Sequence, residues 1–185
     1  MNLVITGCPI TLPGPPENLL EAYVKEGLEF LLESRGWHYG QDRLFESVPD
    51  GIVLGKLNLY FDGKAYKKGY QPSADDIKRF AEYVNEFNER YATSVGRIHS
   101  FVVVSGSFTA KKNALEKKAG DFYAQCSTQL CYVTAADFGQ IVTQVQRASV
   151  NRSALKWANV FSQLRIEPTS IASELRRITK DRIID

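Results

Sequence analysis

The chain has 185 residues, of which 44% are hydrophobic and 24% charged, and its formal net charge is +2 at pH 7. This composition is typical of a globular domain with a real core, and it excludes a disordered or low-complexity chain. No apolar run approaches the roughly 20 residues that a membrane-spanning helix needs. We therefore expect a single domain over residues 1–185 with no membrane partner.

The first 16 residues are apolar, but they lack the basic residues that begin a signal peptide, and Pro13, Pro15 and Pro16 interrupt them. We interpret residues 1–16 as an N-terminal arm. Three cysteines without CxxC spacing and only two histidines argue against a disulfide scaffold and a zinc site. Cys126 and Cys131 are expected in the core, and the cysteine usage fits a reducing cytoplasm.

Charge is distributed unevenly along the chain. Residues 1–50 hold three Lys or Arg against eight Asp or Glu, residues 51–118 hold twelve against seven, and residues 119–185 hold eight against six. The middle third is thus the basic part. A total of +2 is too small to indicate nucleic-acid binding by itself, and a mixed-charge surface is the alternative interpretation.

The first half of the chain predicts a helix followed by a hairpin. Residues 17–34 place leucines and valine at helical spacing, with Gly36 as a natural stop. Residues 37–51 are typical of a loop. The runs 52–54 and 57–61 then predict two strands joined by a short Gly-Lys turn.

The second half predicts alternating helices and strands. A long helix from Ser73 to Tyr91 begins with Ser73 and Asp76 as a capping pair, and a β-branched run predicts a buried strand over 101–104. The later elements are helices over 110–124, from Thr134, over 152–164 and over 168–180, with a strand over 130–133. Together these elements predict an α/β (α+β) fold, a small mixed central sheet with helices on both faces.

Three polar residues bracket the predicted hairpin. Asp50 stands in Pro-Asp-Gly before the first strand, and Asp62 and Lys64 lie two apart on one face of the second strand. Two close carboxylates repel each other unless a cation lies between them, and such oxygen ligands suit Mg²⁺. A bound Mg²⁺ and a lysine together can act on a phosphodiester. Each motif alone is also common in solvated turns.

This arrangement resembles the PD-(D/E)XK nuclease motif. Over most of its length the chain is similar to the cleavage domains of FokI-type (type IIS) restriction endonucleases. The segments that carry the similarity are Pro49-Asp50-Gly51, Phe61-Asp62-Gly63-Lys64-Ala65-Tyr66 with Gly69-Tyr70, residues 74–79, residues 101–108 ending in Ser105-Gly106-Ser107-Phe108, and Glu174-Leu175-Arg176-Arg177.

The resemblance implies the PD-(D/E)XK restriction-endonuclease-like fold and Mg²⁺-dependent hydrolysis of DNA. Asp50, Asp62 and the backbone carbonyl of Gly63 would hold the metal, and Lys64 would orient or activate the attacking water. Glu26 is a candidate for a further metal ligand on the first helix, where other glutamates are also available. The candidate DNA contacts are Lys67, Lys68 and Arg43.

The resemblance also bears on assembly. It uses the chain from about residue 17 and leaves no segment for target recognition, so the chain resembles the small, cleavage-only subunit of a heterodimeric type IIS enzyme of the bacterial cytoplasm. A large subunit would recognise double-stranded DNA and nick one strand. Asp75 and Arg79 match the pair through which family members dimerise, and an i, i+4 surface salt bridge is the alternative.

Three other interpretations stay open. The chain could be a stand-alone homodimeric PD-(D/E)XK nuclease, which would be active without a partner. It could be a catalytically dead nuclease fold used for interaction, although Asp50, Asp62 and Lys64 are all present. A catalytic fragment of a longer enzyme also fits the sequence.

Overall fold

The structure, a computed structural model, describes residues 16–38 and 48–184. Most of the predicted N-terminal arm and Arg43 lie outside the described residues. No helix in the described part of the chain is both long enough and apolar enough to span a membrane.

A five-stranded mixed sheet forms the centre of the fold, and its strands lie side by side in chain order. The first three strands pair antiparallel with one another. The fourth strand pairs parallel with the third, and the fifth pairs parallel with the fourth, each after a crossover helix. The strands are β1 (Arg35–His38), β2 (Gly51–Leu54), β3 (Leu59–Lys64), β4 (Ser100–Ser105) and β5 (Gln129–Thr134). The predicted α/β class and the mixed sheet are thus confirmed.

Helices cover both faces of the sheet. They are α1 (Pro16–Leu32), α2 (Ala74–Val95), α3 (Lys112–Cys126), α4 (Ala135–Ala148), the short α5 (Trp157–Val160) and α6 (Pro168–Ile184). One buried layer lies between the sheet and α1, α4, α5 and α6, and the other lies between the sheet and α2 and α3. Strand alternation divides the core, so Phe61 belongs to the first layer and its neighbour Tyr60 to the second.

The strand β1 corrects the expectation of a loop after residue 36. It pairs antiparallel with β2, with Gly36 opposite Val53. Gly36 lies within β1 and does not end the helix. The backbone packs closely at this position, because a Cβ there would lie 3.2 Å from side-chain atoms of Glu29, Lys25 and Val53. A four-residue strand has no clear alternation of apolar residues, so the sequence carries little signal for it.

The prediction of one helix over 152–164 is also wrong. A 3₁₀ turn (Arg152–Ala154) and the four-residue α5 occupy this stretch. The Asn151 side chain accepts a hydrogen bond from the Ser153 N–H, and the Trp157 indole donates to the carbonyl of Arg152. These side-chain bonds replace the backbone bonds that a continuous helix would make there.

Two helix starts match their sequence signals. Ser73 and Asp76 form a complete capping box at α2, and Thr134 caps α4 by accepting from the Asp137 N–H. On α2 the side chains of Ile77, Phe80, Ala81, Val84 and Phe87 are buried, whereas Tyr91 is 50% exposed. Cys126 and Cys131 are buried free thiols, as expected.

Both outer edges of the sheet are occupied. On β5, the Tyr132 N–H donates to the Leu164 carbonyl at 2.8 Å, and the Ile166 N–H donates to the Tyr132 carbonyl at 2.9 Å. On β1, the Gly36 N–H donates to the Glu29 carboxylate at 2.7 Å. A loop therefore covers one edge, and a side chain from α1 covers part of the other.

The helices α1 and α4 cross at two glycines. A Cβ at Gly27 would collide with the ring of Phe138, and a Cβ at Gly139 would collide with the hydroxyl of Tyr23. The Tyr23 and Phe138 rings meet edge to face, with centroids 5.6 Å apart. Each helix thus offers a glycine to an aromatic side chain of the other, which fixes α1 against the sheet.

Candidate active site

The end of β3 carries the two residues that the sequence singled out on this strand. Asp62 and Lys64 share the face of the sheet that α2 covers, and the Lys64 Nζ lies 2.5 Å from the Asp62 Oδ2. Asp62 is only 4% exposed. The Ser105 hydroxyl of the neighbouring strand β4 donates to the Lys64 carbonyl at 2.7 Å, which fixes the backbone beneath the lysine.

The hairpin brings Asp50 to the same place. Asp50 precedes β2, and its Oδ2 accepts a hydrogen bond from the Gly63 N–H at 2.6 Å. A Cβ added at Gly63 would lie 3.4 Å from the side chain of Leu20 of α1 and 3.6 Å from the Asp50 carboxylate. The predicted hairpin is therefore present, and it joins Asp50, Asp62, Gly63 and Lys64 into one cluster.

Negative charge is disfavoured on both carboxylates of this cluster. Burial, and then the negative charge of Asp50, raise the pKa of Asp62 to about 7, although Lys64 acts in the opposite direction. Burial and the charge of Glu21 raise the pKa of Asp50, while the Gly63 N–H lowers it. Without a further cation, the cluster favours protonation of a carboxyl group.

Lys64 remains charged in this environment. Burial alone would lower its pKa, but the Asp62 carboxylate and then Asp50 act more strongly together and raise the pKa of Lys64 above its ordinary value. The ammonium lies over the Phe80 ring of α2, 5.8 Å from its centroid. Lys64 can therefore donate hydrogen bonds at neutral pH, and it is not set up to accept a proton.

The donor set suits a small divalent cation. A positive ion beside the buried Asp62 and the half-buried Asp50 would offset the negative charge of Asp50, which raises the pKa of Asp62. Mg²⁺ needs few protein ligands because it retains several waters. In the described residues no group of three or more His, Cys, Asp or Glu side chains gathers as metal ligands. Among the described residues, the Asp50 and Asp62 carboxylates could hold such an ion, and the Gly63 carbonyl stays a predicted third ligand.

A carboxylate of α1 also acts on this cluster, and it belongs to Glu21. The negative charge of Glu21 raises the pKa of Asp50. The sequence-based candidate on this helix was Glu26, which lies five residues further along α1. That separation places it about 140° around the helix axis from Glu21. The structure thus associates Glu21 with the site, and Glu26 stays a prediction.

A family model for the cleavage domain of FokI matches residues 16–165 of the chain. The match covers most of the sequence and includes every residue of the cluster.

The chain belongs to the FokI cleavage-domain family.

Two solved structures show the same fold. They are the restriction endonuclease FokI bound to DNA, with 17% identity and a TM-score of 0.63, and FokI itself, with 18% identity and a TM-score of 0.62. Each match covers 82% of this chain and 28% of the FokI chain. The chain therefore spans little more than a quarter of the length of FokI. No curated protein matches the sequence.

Members of this family are restriction-endonuclease-type nuclease domains, and the cluster at the end of β3 is the candidate active site of this one. A cavity of about 860 Å³ lies at the other end of β2 from Asp50. Leu54, Leu57 and Trp157 are among its lining residues, and none of the candidate active-site residues lines it.

The helix α2 contributes a residue that sequence analysis assigned to a different role. Arg79 was predicted at a dimer interface with Asp75. In the structure Arg79 pairs with Asp76 at 2.8 Å, while Asp75 is exposed. The charge of Arg79 also lowers the pKa of Asp62. Arg79 thus lies within electrostatic reach of the candidate active site.

The remaining predicted DNA contacts are Lys67 and Lys68. Both are exposed in the turn that follows β3. The same turn presents Tyr66, which is 58% exposed and to which the sequence assigned no role. Its position two residues after Lys64 of the Asp-X-Lys motif was the available signal. Ser105 was similarly visible only as part of the family resemblance, and its contact with Lys64 emerges from the parallel pairing of β3 and β4.

Proposed function

We propose that this chain is the small cleavage subunit of a heterodimeric type IIS restriction endonuclease, which uses Mg²⁺ to cut one strand of double-stranded DNA. The observation that carries the proposal is the meeting of Asp50, Asp62 and a charged Lys64 at the end of β3. Membership of the FokI cleavage-domain family and a shared fold with FokI bound to DNA support it.

Asp50, Asp62 and the Gly63 carbonyl would hold the metal. When bound, Mg²⁺ would polarise the phosphodiester and lower the pKa of a water molecule. Burial and Asp50 disfavour the negative charge of Asp62, and burial and Glu21 disfavour that of Asp50, so binding of a cation is favourable there.

Lys64 orients the attacking water. Its ammonium lies between Asp62 and the Phe80 ring. Because these contacts fix its position, it can donate hydrogen bonds to the water and to a phosphate oxygen with little loss of conformational entropy. The attacking water releases a proton to solvent as its oxygen forms a bond to phosphorus and the bond from phosphorus to the 3′ oxygen breaks. The displaced 3′ oxygen takes up a proton, so that a 5′-phosphate and a 3′-hydroxyl remain.

In this proposal a large partner subunit recognises the DNA site. The net charge of +2 gives little general affinity for DNA, so a large recognition subunit that nicks the other strand would deliver the substrate. Lys67 and Lys68 would contact phosphates beside the cut. Asp75 and Arg79 on α2 would face the partner subunit.

A plasmid-cleavage assay with Mg²⁺ at low salt tests the catalytic residues first. The wild-type chain is compared with Lys64→Ala and with Lys112→Ala, a control in which an exposed lysine of α3 loses its ion pair with Glu116. Together with the large subunit, the wild-type and Lys112→Ala chains are expected to give double-strand cuts. Lys64→Ala is expected to leave only nicks made by the large subunit.

The chain alone distinguishes the alternatives. Lys64-dependent nicking or linearisation without a partner would contradict the small-subunit proposal and favour a stand-alone homodimeric nuclease. Absence of cutting both with and without the large subunit would contradict nuclease activity and leave a catalytically dead fold used for interaction.

A further inference from the structure

An exposed aromatic ring stands directly beside the candidate active site. Tyr66 follows Lys64 by two residues, and 58% of its surface is accessible. One face of its ring is stacked on Tyr70, with centroids 5.7 Å apart and planes at 8°. Tyr70 is only 4% exposed, so it forms a fixed floor for the Tyr66 ring.

The backbone holds this ring in place. The Gly69 N–H donates to the Tyr66 carbonyl at 3.1 Å and closes the turn. Gly69 has φ of 85°, and a Cβ at this position would lie 2.6 Å from the Ser107 hydroxyl. Tyr70 donates from its N–H to the Ser107 carbonyl and accepts from the Thr109 N–H. The turn is thus tied to the segment after β4, and Tyr66 has little freedom to lose on binding a ligand.

The chemistry around the ring matches a nucleotide. Lys67 and Lys68 extend from the same turn and are exposed. A flat apolar face next to two ammonium groups suits a ligand with a flat or apolar face joined to phosphates. A single exposed aromatic residue needs no explanation by itself. Tyr91 and Tyr123 are exposed to a similar degree, but they lie on helices and not in a turn beside the Asp62–Lys64 pair.

We propose that Tyr66 is a nucleotide-stacking residue. The outer face of its ring packs against the base or the deoxyribose of a nucleotide adjacent to the scissile phosphate, while Lys67 and Lys68 contact the flanking phosphates. The contact fixes the position of the strand relative to Lys64. This inference rests on the proposed nuclease function and assigns a substrate contact to that same site.

The test measures DNA binding separately from cleavage. Wild-type chain, Tyr66→Ala, Tyr66→Phe and the matched control Tyr123→Ala are titrated onto a short fluorescent duplex whose recognition site is already bound by the large subunit, at low salt and with Ca²⁺ in place of Mg²⁺. Tyr66→Ala is expected to bind about tenfold more weakly, since an aromatic–base stack contributes at this level. Tyr66→Phe and Tyr123→Ala are expected to bind like the wild type.

Salt dependence separates stacking from charge. The dependence of log Kd on log salt concentration is expected to be the same for Tyr66→Ala and wild type, whereas Lys67→Ala reduces this slope by about one. A single abasic residue is then moved through the duplex. If Tyr66 stacks on a base, its alanine variant loses its disadvantage at one abasic position. If it packs on the sugar, the disadvantage persists at every position.

Several outcomes would overturn the proposal. Binding by Tyr66→Ala that equals the wild type would do so, as would equal weakening by Tyr66→Phe or by Tyr123→Ala. If Tyr66→Ala melts several degrees lower, Tyr66→Leu replaces it, because leucine preserves an apolar contact with Tyr70 but not a stacking surface. With the large subunit present, cutting that depends on Lys64 but is unchanged in Tyr66→Ala contradicts this inference alone. If the wild-type chain neither binds nor cuts DNA even with the large subunit present, the proposed function is contradicted as well.

Discussion

At the scale of single residues, the candidate site is a cluster under electrostatic strain. Asp62 is buried, and its negative charge is disfavoured by Asp50 and favoured by Lys64. Between its ordinary pKa of 3.8 and its raised pKa of about 7, the folded chain holds a proton that the unfolded chain releases. The free energy of unfolding therefore falls as the pH rises through this window.

The variant Asp62→Asn removes this titration. In EDTA, we expect the stability of the wild type relative to Asp62→Asn to decrease from pH 4 to pH 7, with a slope of at most about 1.4 kcal/mol per pH unit. Denaturant unfolding at several pH values measures it. Mg²⁺ at pH 8 is expected to raise the wild-type melting temperature more than that of the variant. Parallel pH profiles, or equal responses to Mg²⁺, would contradict this account.

Two of the glutamates of α1, Glu21 and Glu26, provide a matched pair. The charge of Glu21 acts on Asp50, so Glu21→Gln is expected to change the Mg²⁺ concentration needed for cleavage by about threefold to tenfold. Glu26→Gln is the control and is expected to leave the Mg²⁺ dependence unchanged. Cleavage rates across a Mg²⁺ titration measure both. The reverse ranking would restore Glu26 as the relevant carboxylate.

The sequence predicted the meeting of Asp50 with Asp62 because one short hairpin carries both, and local pairing follows from chain spacing. It could not select Glu21, because the register of α1 over Gly63 depends on how the helix packs. The proximity of Arg79 to Asp62 likewise depends on how α2 packs against the sheet. The i, i+4 spacing of Arg79 with Asp75 does not predict it.

At the scale of elements, the strongest local signals gave the most accurate boundaries. The capping box at Ser73 predicted the start of α2, and Thr134 predicted the start of α4. Two features were not predicted, namely β1 and the interruption of the helix predicted over 152–164. The first depends on pairing with β2, and the second on the hydrogen bond from the Trp157 indole to the Arg152 carbonyl. Local patterns therefore predict elements well where capping or alternation decides them.

The glycine crossing of α1 and α4 was also invisible in the sequence. Gly27→Ala forces a methyl group into the Phe138 ring, and we expect a loss of about 1–3 kcal/mol in the free energy of unfolding. Gly120→Ala on α3 is the control, because no atom lies within 4 Å of its added Cβ. That variant is expected to gain about 0.5–1 kcal/mol from helix propensity. Urea unfolding of both variants checks the prediction. A change of the same sign in the free energy of unfolding of both variants would contradict it.

At the scale of the whole molecule, the candidate site joins three parts of the fold. The hairpin supplies the carboxylates and the lysine, α1 supplies Glu21, and α2 supplies Phe80 and the nearby charge of Arg79. The exposed side of α2 is also where the proposed partner contact lies, so assembly and chemistry would share one helix.

Charge reversal tests that contact. Asp75→Arg places a cation beside Arg79 on the exposed side of α2, and we expect double-strand cutting with the large subunit to fall by about tenfold. Asp121→Arg makes the same charge change on α3 and is expected to have no effect. The ratio of linear to nicked plasmid measures both variants. Equal losses in the two would point to a general charge effect and not to an interface on α2.

The occupied edges of the sheet have a consequence for solubility at high concentration. Unpaired strand edges invite other chains to add strands, which leads to aggregates. Here the Leu164–Ile166 backbone covers β5, and the Glu29 carboxylate takes the Gly36 N–H of β1. A foreign strand would have to displace these bonds first. Self-association by sheet extension is thus disfavoured, and Glu29→Ala is the substitution that would expose part of the β1 edge.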